Sequence, residues 1–145
     1  MEDDVSNRYY ELTSEWHRAT FGLETGLLGL KENWQRELAS IWRMCADIPN
    51  GGYIQFIGNW KRVSYVYGSQ SLGFIGALQM KGFVDQAQNV IDKYPERDGW
   101  GYSEIYDALS ENDYSVVMGL SERFWNFPDP IPDLIVKYYG NRELP

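Results

Sequence analysis

The run from Leu27 to Ile48 sets the first limit on what this chain can fold into. Leu27, Leu30, Trp34, Leu38, Ile41, Trp42 and Cys45 recur at three- and four-residue steps, and Lys31, Glu32, Gln35, Arg36 and Glu37 fill the gaps. That period is an amphipathic helix, which must bury its apolar stripe against other elements. Pro49-Asn50-Gly51-Gly52 ends it, because neither proline nor paired glycine continues a stable helix. At 145 residues the chain is long enough to build the required core without a staple.

Helical periodicity returns along much of the remainder. Val5 to Trp16 carries Tyr9, Leu12 and Trp16 on one side, and Thr20 to Gly29, with three glycines, reads as a loop. Ser71 to Gln79 and Phe83 to Tyr94 repeat the three- and four-residue spacing, with Pro95 as the stop. Ser103 is the expected cap of a short helix carrying Ile105, Tyr106 and Leu109. Ser110-Glu111-Asn112-Asp113 has capping-box spacing, so a fresh helix is expected to run from there to Phe127. After the rigid Pro128–Pro132 connector, Asp133 to Tyr139 closes the chain helically. Residues 53–67 are the ambiguous stretch. Aromatic and β-branched residues flank Gly58-Asn59, which reads as a β-hairpin on propensity and as a short helix capped by Asn50 otherwise. The expectation is an all-α single compact domain over 1–145, with six to seven helices and a short hairpin as the local alternative. Residues 1–26 form an N-terminal extension to it.

The order of motifs resembles the bacterial DNA-mimic protein family. Asn50-Gly51-Gly52-Tyr53-Ile54-Gln55-Phe56-Ile57-Gly58-Asn59 is similar to its Asn-Gly-Gly…Gln…Asn signature. Leu72…Ile75-Gly76-Ala77, Phe83…Ala87…Val90-Ile91 and a closing Leu134-Ile135-Val136-Lys137-Tyr138-Tyr139…Asn141 follow in the family's order. The resemblance covers roughly residues 27–141. It implies an all-helical fold and, by analogy with a founding member, occupation of the DNA-binding surface of a transcription factor. This chain departs from the family at Gly68-Ser69-Gln70-Ser71, where members often have an alanine-rich helix, and at Lys61-Arg62, which adds positive charge.

Charge supplies an independent pointer. The formal net charge is −8, a sign that argues against direct binding of nucleic acid or an anionic membrane surface. Residues 85–133 hold eleven acids against three bases, while residues 31–84 hold six bases against three acids. Glu104, Asp107 and Glu111 follow one another at steps of three and four, with Asp113 close behind, and Asp85, Asp92, Glu96 and Asp98 form a second stretch. On a helix such steps set charges about 5–6 Å apart, comparable to successive phosphates. Trp100, Tyr102, Tyr106 and Tyr114 are interleaved with these acids, as rings and charges are in protein interfaces.

Other chemistry lacks its residues. One cysteine excludes an intramolecular disulfide, and one histidine, His17, cannot build a His-rich metal site. Phosphate-loop, nucleophile-elbow and zinc-protease spacings are missing, so no catalytic residue, cofactor or metal is expected. The start has no secretory signal and no apolar run reaches membrane length, which sets the expectation of a cytoplasmic protein. Three function classes stay open. The first is a non-enzymatic acidic domain that binds a basic protein, as a DNA mimic would. The second is an immunity-type protein that neutralises a toxin such as a basic nuclease. The third is a small enzyme with a carboxylate site near the Asn-Gly-Gly segment. In the binding readings the acids from Asp85 to Asp113 and Trp100 face the partner, and Asn50, Gly51, Gly52, Gln55 and Asn59 organise a chain break in the core. The partner is a transcription factor or a toxin, and a homodimer is compatible with the sequence.

Overall fold

A computed structural model describes residues 2–95 and 97–145. Among these residues there are six α-helices and no strand: α1 (Glu2–Ala19), α2 (Asn33–Ile75), α3 (Leu78–Ile91), α4 (Tyr102–Ala108), α5 (Glu111–Trp125) and α6 (Ile131–Tyr139). Single 3₁₀ turns occupy Thr20–Gly22, Gly26–Gly29 and Arg97–Gly99. Among the described residues no helix is long and apolar enough to cross a membrane.

The long amphipathic run starts later than its pattern suggests. Leu27 and Leu30 are buried, but the chain reaches them through a 3₁₀ turn and an extended Leu30 (ψ 148°). Gln35 then accepts from the amides of Lys31 and Glu32, both at 3.0 Å, and launches α2. Leu38, Ile41, Met44 and Ile48 are fully buried along its first segment. Each such side chain contributes about 1.5–3 kcal/mol of hydrophobic stabilisation.

The Pro49–Gly52 stop does not send the chain into a loop. The backbone leaves helical geometry at Gly51 and Gly52 and resumes it at once, so α2 continues in a new direction. Gly52 has φ 78°, where an L side chain is strained, and a Cβ there would lie 2.7 Å from the Met118 sulfur. The hairpin alternative at 53–67 is wrong. These residues are helical, with a second break at Lys61 (φ 67°, ψ −178°). The β propensity is overridden by burial of one helical face: Tyr53, Ile54, Phe56 and Ile57 are all in the core, and the Tyr53 hydroxyl donates to Gln88 at 2.6 Å.

The three segments of α2 make it the central element, in contact with each of the other helices. Leu12 and Trp16 of α1 cover one side; Met80, Val84 and Ile91 of α3, with Val117 and Phe124 of α5, cover another. Ile135 and Tyr139 complete the core from α6. The Tyr139 hydroxyl donates to buried Glu37 at 2.7 Å and lies 2.9 Å from the Ser71 hydroxyl. Ser71 therefore serves a buried polar contact that alanine would leave unmade.

Helix boundaries also differ from the sequence reading: the helix expected over Ser71–Gln79 is divided between α2, which ends at Ile75, and α3, which begins at Leu78. Gly101, not Ser103, precedes α4, and the Glu104 carboxylate reaches back to the Gly101 amide at 3.0 Å. Ser110 does cap α5, accepting from the Asp113 amide at 3.1 Å, but the Ser110 amide donates to the Tyr94 hydroxyl and not to Asp113.

Gly52→Ala is expected to lower stability by about 2 kcal/mol, read from denaturant unfolding, because it combines a positive φ with a steric clash. Adding Met118→Ala should restore the part due to the clash and leave the backbone part.

Candidate functional site

The Asn-Gly-Gly segment is organised by a residue that its motif does not contain. Asp47, one turn before the break in α2, accepts from Gln55 (3.3 Å), Asn59 (3.1 Å) and the Trp60 indole (2.8 Å). Asn50 donates to the Gln55 side-chain oxygen at 3.0 Å. Gln55 and Asn59 sit one turn apart, so both reach the same carboxylate across the break. The first free amide of the resumed helix, Tyr53 N–H, is met from another element: the Ser121 hydroxyl of α5 accepts it at 2.9 Å and donates onward to the Val117 carbonyl.

Trp60 connects this cluster to a buried cation. Arg43 is 4% exposed and lies 4.1 Å from the Trp60 ring centroid. It donates to Ser64 (2.7 Å), Thr20 (3.0 Å) and His17 Nδ1 (3.1 Å), all neutral partners. Burial draws its pKa down to about 10, and the charge of Asp47 offsets part of that, so it stays charged at neutral pH. His17 packs edge-on against Trp60 and Phe21. Because Nδ1 accepts from Arg43, the ring is neutral, with its proton on Nε2. Burial and the adjacent guanidinium bring its pKa down to about 4.

The predicted acidic face divides in two. Asp85, Asp92 and Asp113 are spent on the protein's own donors. Asp85 accepts from Tyr65 (2.9 Å), Ser69 (2.5 Å) and Lys81 (2.6 Å). Burial pushes its carboxyl up, but these hydrogen bonds outweigh that and leave it below its ordinary range. Asp92 pairs with Arg62 and accepts from Gln88. Asp113 accepts from Lys93 (3.0 Å) and Tyr94 (2.8 Å), and the Lys93 ammonium holds its carboxyl below the usual value. Glu96 lies outside the described residues.

The rest of the run faces water. Asp98 is exposed at the edge, 3.5 Å from Arg62. Glu104, Asp107 and Glu111 are all exposed, and among the described residues no lysine or arginine pairs with them. They do not share one helix: α4 ends at Ala108 and Leu109 and Ser110 are extended, so the last step of four crosses a corner. Between them stands an aromatic stack. Tyr102 and Tyr106 are 41% and 48% exposed, with rings 6.1 Å apart and nearly parallel, and Tyr114 meets Tyr106 edge-on at 5.3 Å. Trp100 is half-buried and packs near Tyr94.

Nothing in the sequence pattern ranked Asp47, Arg43 or Ser121, and Lys61 stood out only as a positive charge the family lacks. Asp47 joins Gln55 and Asn59 only across a break that resets helical register. Arg43 and Ser121 were ordinary members of their helices. An apolar cavity of about 420 Å³ lies between α1, α2 and the connector before α6, lined by Tyr9, Trp42, Cys45 and Phe127. Burial pushes the Cys45 thiol up to about 12, so it stays protonated there. Among the described residues no group of three or more His, Cys, Asp or Glu is placed to hold a metal ion.

A family model described as DMP19-like protein matches residues 29–142. No curated protein and no solved structure matches the chain.

His17 makes stability depend on acid. Its folded pKa lies below the value of about 6.5 in an unfolded chain, so its contribution is complete above pH 6.5 and is lost as pH falls towards 4. The half-buried ring is screened by solvent, so the loss is on the order of 1–2 kcal/mol. Denaturant unfolding between pH 7 and 4 measures it, and His17→Asn is expected to flatten that part of the profile.

Proposed function

Because the chain belongs to the DMP19-like family, a family of DNA-mimic proteins, we propose that it acts without catalysis by binding a basic protein. The bound surface is the one that a nucleic-acid-binding partner otherwise offers to DNA. The observation that carries this reading is the contrast within residues 85–113. Three acids there are consumed by internal donors, whereas Glu104, Asp107 and Glu111 are exposed around an exposed tyrosine stack with no lysine or arginine paired to them among the described residues, Glu104 meeting only the Gly101 amide.

Physical chemistry supports the fit. Exposed carboxylates with no cation of their own attract a basic face and steer its approach. Tyrosine rings add contact area with few rotors to freeze. The partner-facing set is accordingly Glu104, Asp107, Glu111, Tyr102 and Tyr106, with Asp98 and Trp100 at its edge. Asp85, Asp92 and Asp113 serve the scaffold. An immunity-type role would use the same surface and differ only in the identity of the basic partner.

The test is a triple neutralisation, Glu104→Gln, Asp107→Asn and Glu111→Gln. Glutamine at 104 keeps an acceptor for the Gly101 amide, so folding should be unchanged. A basic protein retained from native extract by the wild type, and released by DNA, should bind the variant at least tenfold more weakly at low salt. Its salt dependence should also flatten. Unchanged affinity and salt slope would overturn the reading.

A further inference from the structure

Lys61 occupies a backbone region, φ 67° and ψ −178°, that is essentially reserved for glycine. Such strain persists only where the surroundings hold it. Here the surroundings are the start of the acidic tyrosine face. The Lys61 ammonium donates to the Gly58 carbonyl at 2.6 Å, within the broken turn, and to the Trp100 carbonyl at 2.7 Å, across the fold. Two residues beyond Trp100 the chain enters α4, and its backbone rests directly on Gly58. A Cβ at Gly58 would lie 2.6 Å from the Tyr102 amide nitrogen and 3.1 Å from the Gly101 carbonyl carbon. Arg62, the next residue, holds Asp92 and lies near Asp98 on the approach to the same corner.

We propose that Lys61 is a positioning residue for the partner-binding face. Its strained backbone turns the side chain so that one charged group closes the break in α2 and pins the segment from Asp98 to Tyr102. The direction in which α4 leaves, and with it the placement of Tyr102, Glu104, Tyr106 and Asp107, follows from that clamp. This rests on the reading of those residues as a binding face, but the clamp itself is a property of the free protein. A lysine that served only local stability would be replaced to advantage by glycine, which takes this backbone without strain. The lysine is explained by what its ammonium reaches, and charge-assisted bonds to two carbonyls are the strong kind.

Amide hydrogen exchange on the free protein, with denaturant midpoints, separates the two roles. In Lys61→Gly the relieved backbone offsets the lost bonds, so the midpoint should stay close to wild type while exchange over residues 98–108 speeds up about tenfold. Lys61→Met keeps the strain and loses the clamp, so it should show the same local loosening with a lower midpoint. Lys61→Arg, which restores a cationic donor, should recover most of the protection. Exchange over 98–108 within twofold of wild type in Lys61→Gly overturns the proposal. So does loosening spread equally over α2, α3 and α5. Neither result depends on partner binding, so failure of the triple neutralisation leaves this test intact.

Discussion

A helix interrupted inside a protein exposes backbone donors where water cannot reach them, and this structure depends on how α2 meets that constraint. At Tyr53 the free amide is taken by Ser121 from a helix 68 residues further along. At the flank of the same break, Asp47 gathers three side-chain donors from the resumed helix. At the second break the Lys61 ammonium donates to the Gly58 carbonyl three residues before it. Since α2 touches each other helix, the angles set at these two points decide where α3, α4 and α5 can pack.

The periodic parts of the fold were legible from residues alone. Leu38, Ile41, Leu72, Ala87, Ile91 and Ile105 are buried as their spacing marks, whereas Tyr106, placed on the same apolar face as Ile105, is exposed. What was not legible is what spacing cannot encode. The tract around Gly58-Asn59 has strand propensity, but its register is decided by a core that long-range contacts build. Ser103 looked like a better cap than Gly101, yet Gly101 holds the position because Glu104 supplies the missing acceptor.

The candidate face was legible as a concentration of charge but not as a surface. Counting acids gives equal weight to Asp85, Asp113 and Glu111, although one accepts three hydrogen bonds, one is buried under a lysine and a tyrosine, and one stands in water. Lys61 and Arg62 illustrate the converse. As sequence they look like charge out of place in an acidic protein. In the fold they tie the acidic stretch to α2, so the cations help to present the anions.

The interrupted helix also bears on how the chain finds its fold. An unbroken helix the length of α2 would propagate from any nucleus by local contacts alone, at a few nanoseconds per residue. Here the backbone leaves helical geometry at Gly52 and again at Lys61, and the first amide after the first break, that of Tyr53, is met only by Ser121 of α5. The Tyr139–Glu37 bond adds a link spanning 102 residues. A nominally all-helical protein thus acquires the long-range dependence usual in sheet proteins, and slower, more cooperative assembly follows from it.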